Sequence, residues 1–294
     1  MVKMYKKSNI FGIVCGDKKR ELIIWDENIK KDIYKYRFKK SILNLELTED
    51  SIVVVCNTTI YVFDFKSFQL VDIIKTGPNP KGLVGITHNE RKIMIYPSSE
   101  DNQGKLTIKN YKSKNYLYLT PAKKREIEYF TLSYDGLFLA TLEERSEKIQ
   151  IYNSLTGKLS YELTILAGNK SPKKFISISM KNDLLFYSQN KGEIDIFSLK
   201  RAKMEAKKEN TPEDEYNLDL NKEVSNKHAK KLFKKREEPF IRLLIKSDFE
   251  YEFIKIDDEQ NSLFIAASNG KLIKYKLDLI KKEYSLDEMN SFII

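Results

Sequence analysis

The chain has 294 residues, enough to bury a substantial core, with 32% of them charged and a formal net charge of +10. Its 17 Tyr and 16 Phe are too many for a disordered polyelectrolyte, and no run reaches the roughly 18 apolar residues of a membrane-spanning helix. The lysine excess favours anionic partners such as nucleic acid, acidic protein or an anionic membrane surface, although a chain rich in Lys, Asn and Ile also follows from genome base composition.

From its start the chain reads as short β-branched and aromatic runs separated by Asn, Asp, Gly and Lys, with few stripes of helical period. "IFGIVC" follows basic residues but is too short for the apolar region of a signal peptide. One strand recurs in chain order: "ELIIWDEN" around Trp25, "TIYVFDFK" around Phe63, "KLTIKNYK" around Ile108, "KIQIYNSLTG" around Tyr152, "EIDIFSLK" around Phe197 and "KLIKYKLD" around Tyr275. The first five lie roughly 38 to 46 residues apart, the period of a four-stranded propeller blade. Each follows a second apolar run, from "IFGIVCG" and "SIVVVCN" to "SLFIAAS", and a third often precedes that one, as in "SILNLELTED" or "KFISISMKND". More polar runs, "KDIYKYRF", "KLSYELTI" and "KKEYSLDEMNSFI", read as outer strands with one face in water. Hairpin turns are expected at Tyr134–Gly136, Asn190–Gly192 and Ser268–Gly270, where Gly and Asn sit at tight positions, and "NTT" at Asn57 reads as a turn.

The expected fold is all-β: a WD40-like β-propeller, one domain over residues 1–294, with six four-stranded blades countable at about 1–40, 41–78, 79–121, 122–166, 167–248 and 249–294. Residues 201–238 are poor in apolar side chains and dense in mixed charge, so they read as a mobile loop inserted in the fifth blade before a fourth strand in "PFIRLLIKS". Cys15 and Cys56 form no CxxC or Cys/His cluster, which argues against a zinc site or disulfide framework and for a cytosolic setting. The two histidines, His88 and His228, have no Ser or Cys nucleophile beside them, and Glu143–Glu144 reads as solvated loop charge. No enzyme activity, metal or cofactor is expected.

Three stretches carry a family resemblance: "ELIIWDENIKKDIYKYRF" from Glu21, "SIVVVCNTTIYVFDFKSFQLVDIIKT" from Ser51, and "NPKGL" from Asn79. Together they resemble the PROPPIN family, WD-repeat-like propellers that bind polyphosphoinositides in autophagy. A strand ending in Trp-Asp is common to WD40 proteins, whereas "IVVV" and "IYVFDF" followed by "NPKGL" is more specific. In order and spacing the resemblance runs from about Lys3 to Phe292. It implies seven blades, and the blade expected before "NIFGIVCG" is absent. A ring closed on six blades, an open ring with exposed edges, and a truncated chain are the alternatives.

The resemblance further implies an arginine pair followed by glycine after a strand such as "YEL", each arginine serving one of two phosphoinositide sites. Thr164 and Ile165 occupy that place, and glycine is reached only at Gly168. Glu143, Ser146 and Glu147 stand where the family has Ser and Gly-Thr, Gly192-Glu193 where it has Gly-Thr, and Lys123 where it has His. Thr and Ile cannot replace the charge-assisted bonds of arginine to phosphate. The expected function is a phosphoinositide-effector-like scaffold in autophagy or vesicle trafficking. It would recruit protein partners to phosphatidylinositol 3-phosphate or 3,5-bisphosphate membranes, with the arginine-pair site degenerate. A WD-repeat interaction scaffold without lipid binding is the alternative.

Three groups of candidate residues follow. Lys170, Lys173 and Lys174 offer a diffuse substitute for phosphoinositide binding, a lysine near an anionic surface contributing about 1 kcal/mol, beside the plainer reading of a solvated loop. In the insertion, Lys230, Lys231, Leu232, Phe233, Lys234, Lys235 and Arg236 set an apolar pair between basic ones, as a membrane-contact loop would, where the resemblance implies a membrane-inserting segment. Asn79, Pro80 and Lys81 resemble the region that docks a lipid-transfer protein in the family, beside the plainer reading of an interblade turn. Nucleic acid is not expected as a partner, because the lysines are scattered over all blades. The expected location is cytoplasmic and peripheral on autophagic or endosomal membranes.

Overall fold

A computed structural model describes residues 1–5, 8–99, 104–120, 126–144, 146–165, 175–181, 183–190, 193–199, 222–225, 239–244, 251–257, 261–267 and 271–291. These fall into two compact units, Met1–Glu126 with Leu220–Ser225, and Ile127–Asp219 with Asn226–Ile294. No α-helix occurs among the described residues.

In the first unit, the first sheet is β1 (Val2–Met4), β2 (Ile10–Cys15), β3 (Glu21–Asp26) and β4 (Lys31–Arg37). The second is β5 (Asn44–Leu47), β6 (Ser51–Val55), β7 (Thr59–Asp64) and β8 (Leu70–Lys75), and the third is β9 (Gly85–Ile86), β10 (Ile93–Pro97), β11 (Leu106–Asn110) and β12 (Asn115–Thr120). In the second unit, the fourth sheet is β13 (Ile127–Leu132), β14 (Phe138–Glu143), β15 (Lys148–Asn153) and β16 (Leu159–Thr164). The fifth starts with β17 (Phe175–Ile178), β18 (Leu184–Asn190) and β19 (Glu193–Ser198). The chain then contributes β20 (Lys222–Ser225) to the first unit and returns as β21 (Ile241–Leu244), the fourth strand of the fifth sheet. The sixth is β22 (Tyr251–Asp257), β23 (Ser262–Ala267), β24 (Lys271–Asp278) and β25 (Glu283–Ser291). Each set of four is an antiparallel meander, so all six countable blades are present and β21 is the strand expected in "PFIRLLIKS". The strand β20 was not expected: it lies inside the segment expected to be a loop and pairs in parallel with β12.

Burial explains the sequence pattern. Ile52, Val53, Val54 and Val55 of β6 are all 0% exposed, because an inner strand covered on both faces needs no alternation. Each such aliphatic side chain contributes about 1.5–3 kcal/mol by leaving water. Outer strands face solvent instead: β21 alternates between buried and exposed residues, and β4 and β25 are exposed along almost their whole length. Leu22, Ile24, Leu45, Ile52 and Phe63 join the first two sheets in one core, and Ile149, Leu163, Leu185 and Tyr187 join the fourth and fifth in another.

The recurrent strand ends on the residue that makes its turn. Asp26, Asp64, Asn110, Asn153 and Asp278 close β3, β7, β11, β15 and β24, and each side-chain Oδ1 accepts the backbone N–H two residues on, from Asn28, Lys66, Lys112, Leu155 and Ile280 at 2.9–3.2 Å. In four of the five it also takes the next N–H, as Asp64 does from Ser67 at 2.7 Å. These are Asx turns, in which a short polar side chain stands in for backbone. Four residues after each Asx the chain enters the left-handed region, at Lys30 (φ 53°), Phe68 (56°), Lys114 (59°), Gly157 (68°) and Lys282 (60°). Only the fourth sheet uses glycine there.

Candidate functional site

The "NPKGL" segment is built into the first unit. Asn79 is only 2% exposed. Its Nδ2 donates to the Leu83 carbonyl at 2.9 Å, and its Oδ1 accepts from the Leu83 N–H at 2.7 Å, so one side chain clips both ends of the turn. Its own N–H donates to the Asn57 carbonyl at 2.7 Å, in the turn read from "NTT". Asn44 Nδ2 donates to the Gly82 carbonyl at 3.0 Å, which anchors the turn to the start of β5. Gly82 has φ +65°, and a Cβ there would lie 2.9 Å from Leu43 Cβ, so both backbone and space require glycine. Asn79 therefore faces inward, and the exposed members of the expected partner-docking trio are Pro80 and Lys81.

In the second unit, Thr164 ends β16 opposite Lys148. Ile165 is 2% exposed and belongs to the core of the fourth and fifth sheets, and its N–H donates to the Glu147 carbonyl at 2.8 Å. The adjoining hairpin is closed by Ser146, whose N–H donates to the Glu143 carbonyl at 3.1 Å and whose hydroxyl accepts the Lys148 N–H at 3.1 Å. Glu143 is buried, and Lys148 Nζ is engaged by Glu162. Gln150 Nε2 donates to Glu162 at 3.4 Å, and Gln150 Oε1 accepts from the Tyr152 hydroxyl at 2.8 Å. Burial holds the Tyr152 phenol well above the ordinary tyrosine range, and the charges of Glu143 and Glu162 push it further the same way. A lysine already paired, beside buried carboxylate, leaves this corner with little attraction for a phosphate.

Lys170, Lys173, Lys174 and the run Lys230 to Arg236 lie outside the described residues, as do Lys123, Gly168 and Gly192. Glu193 opens β19 and is exposed. Among the described residues no cluster of His, Cys, Asp and Glu could hold a metal, and no helix is long and apolar enough to cross a membrane.

One charged group went unnoticed in the sequence. Asp72 of β8 and Lys109 of β11 form an ion pair between the second and third sheets, at 2.5 Å with side chains 26% and 12% exposed. The Tyr111 hydroxyl donates to Asp72 at 3.1 Å, and the Lys109 ammonium lies 4.4 Å from the Tyr111 ring centre and 5.4 Å from that of Tyr116. Burial first, then the Asp72 charge, raise the Tyr111 phenol. The only available hint is a charged residue inside an otherwise apolar strand, in "LVDIIK" and in "LTIK"; the pairing of the two is not readable from either.

A family model described as PROPPIN matches residues 1–282. Autophagy-related protein 18 of Dictyostelium discoideum is 28% identical over 158 residues, 52% of this chain and 42% of that protein. Autophagy-related protein 18e of Arabidopsis thaliana is 27% identical over 208 residues, 68% of this chain and 54% of that protein. The chain thus spans about half the length of these relatives. Among solved structures, KlAtg21, in its complex with the coiled coil of AgAtg16, is similar with a TM-score of 0.76 at 16% identity, over 100% of this chain and 85% of that one. At that identity the likeness speaks to fold, and together with the six meanders it makes the architecture an all-β propeller of WD40 type.

Proposed function

From the premise that the chain belongs to the PROPPIN family, we propose that it is a phosphoinositide-effector-like propeller scaffold of autophagy or vesicle trafficking. It recruits protein partners to membranes bearing phosphatidylinositol 3-phosphate or 3,5-bisphosphate, with the usual arginine-pair site degenerate. The observation that carries this reading is the family match from residue 1 to residue 282. Family propellers of this kind are effectors and scaffolds, so no enzymatic activity is assigned.

The weakened lipid site is supported by Ile165 being part of the core and by Lys148 being paired with Glu162. Headgroup attraction then rests on Lys170, Lys173 and Lys174 and on the basic-apolar run Lys230 to Arg236, lysines near an anionic surface adding about 1 kcal/mol each. A protein partner is supported by KlAtg21, which was solved with a coiled coil of AgAtg16. A lipid-transfer protein docks, in this reading, through the exposed Pro80 and Lys81.

Vesicle co-sedimentation tests the proposal. Binding to phosphatidylinositol 3-phosphate or 3,5-bisphosphate vesicles above phosphatidylserine vesicles of matched charge, kept at physiological salt and lost on replacing Lys170, Lys173 and Lys174, is the expected result. Binding that ignores the headgroup and disappears with salt overturns the membrane part and leaves a protein-interaction scaffold.

A further inference from the structure

A strand covered on both faces has no reason to alternate, and the second strands of most sheets do not. β6 and β10 are buried but for one terminal residue each, β14 is buried throughout, and β18 is buried from Leu184 to Ser188. In β2 only Gly12 and Val14 are buried, while Phe11, Ile13 and Cys15 are not. Val14 lies with Leu22 and Ile24 on the side that joins the second sheet. The other side of the first sheet is the open one.

That side carries two rows that cross all four strands. Val2, Ile13, Ile23 and Lys35 stand level with one another in the first row, and Met4, Phe11, Trp25 and Asp32 in the second, with Ile33 bulged beside Asp32. Val2 is 60% exposed and Met4 51%, and Phe11, Ile13, Ile23 and Trp25 are half-buried. Charge enters the rows only at their outer ends, as Lys35 and Asp32. In the sixth sheet β23 alternates as well, but its half-buried Phe264 stands level with Lys274, whose ammonium lies 5.8 Å from the ring centre, so charge covers that side. A contiguous apolar face without such cover marks an interaction surface.

The two rows are complementary to each other. A two-fold axis running across the strands, midway between the rows, lays each row on the other row of a second copy. Ile13 then meets Phe11 of the other copy, Ile23 meets Trp25, Val2 meets Met4, and Lys35 meets Asp32. Aliphatic side chains lie on aromatic ones, and an ion pair closes the outer end twice. An axis along the strands would instead set Lys35 and Asp32 against Val2 and Met4. Four strands about 4.8 Å apart and about 20 Å long present a flat footprint of about 400 Å². Two such footprints, enlarged by side-chain relief, approach the roughly 1,000 Å² that a specific interface needs. We propose that the open face of the first sheet is the interface of a weak homodimer, built from these two rows and oriented by Lys35 and Asp32.

Trp25, the single tryptophan, sits in the middle of the face and reports on it directly. The full chain is taken from nanomolar to high micromolar concentration without lipid, and followed by sedimentation and by Trp25 emission. The expected result is a monomer–dimer equilibrium, with emission moving to shorter wavelength over the same concentration range. Met4→Glu, at an exposed position, buries an unpaired carboxylate and raises the dissociation constant at least about tenfold. Lys35→Asp sets like charges together and raises it by a similar factor, and adding Asp32→Lys to Lys35→Asp restores it. Both lysine and aspartate are exposed, so these exchanges leave the monomer folded. A chain that stays monomeric overturns the proposal and leaves the face to a sheet of another protein. A dimer indifferent to Met4→Glu, a charge exchange that does not restore it, or association that grows past two copies overturns it as well.

Discussion

Replacing Asn79 with Ala separates a folding role of "NPKGL" from a docking role. The substitution removes both hydrogen bonds to Leu83, at 2.9 and 2.7 Å, from a side chain that is 2% exposed. It leaves the Leu83 N–H and carbonyl without those partners inside a turn. An unsatisfied buried polar group costs about 1–3 kcal/mol, and Leu83 is half-buried, so the pair together costs about 2–3 kcal/mol. The single tryptophan, Trp25, lies in β3 of the same unit, so its fluorescence follows unfolding of that unit in urea. With a slope of about 2 kcal/mol/M the midpoint falls by about 1–1.5 M. Lys81→Ala, at an exposed position, moves it by less than about 0.3 M. An Asn79→Ala midpoint within about 0.3 M of the parent refutes the clip and returns Asn79 to partner recognition. If the clip holds, loss of partner capture is a valid readout only for Pro80 and Lys81.

Four other outcomes follow from the structure. Gly82→Ala destabilises the same unit by about 2 kcal/mol in the same urea assay, since φ is +65° and the added Cβ meets Leu43 at 2.9 Å. Ile165→Arg does not recover a headgroup preference in co-sedimentation and costs about 3 kcal/mol or more in urea, because the position is core; a stable variant with a gained phosphoinositide preference would falsify the assignment of Ile165 to packing. Lys114→Gly raises stability by about 0.5–1 kcal/mol, the relief of a left-handed φ of 59° less the entropy that glycine adds to the unfolded chain, and Gly157→Lys reverses it. Burial raises Tyr96, Tyr111, Tyr152 and Tyr187, so the protonated forms are favoured on folding. Stability from these groups is complete below about pH 10 and is lost as pH rises beyond it; absorbance at 295 nm then shows these four ionising only as the chain unfolds, whereas all 17 tyrosines titrating together in the folded chain contradicts the burial of the four.

What was legible in the sequence is what is local. The recurrent strand, its Asp or Asn end and the β-branched run before it depend on neighbours in the chain, and all six meanders fall within the blade spans read from them. Ile165 could be read as departing from the arginine pair, but its place in a core of two sheets could not. Asn79 reads as a surface turn residue because Asn usually is one; its inward orientation depends on Asn57 and Leu83 being brought to it. The Asp72–Lys109 pair joins positions 37 residues apart, and nothing in either strand names the other. β20 is hardest of all, four residues without periodicity in a charged stretch, whose strand character comes from the edge it pairs with.

The Asx turns have a practical meaning for how this chain can vary. In each, the Asx side chain holds the N–H two residues on, and in four of the five also the next. The neighbouring hairpin takes hold of the residue directly after the Asx, as Glu27 N–H on the Asn9 carbonyl, Phe65 on Asp50, Tyr111 on Lys92 and Ser154 on Leu137, and leaves the rest of the turn to itself. In the fifth sheet the recurrent strand ends at Ser198 instead, and the long excursion to β21 leaves from that point. The hairpins after Asp26, Asp64, Asn110, Asn153 and Asp278 are therefore the natural places to graft a tag, lengthen the chain or split it into complementing halves.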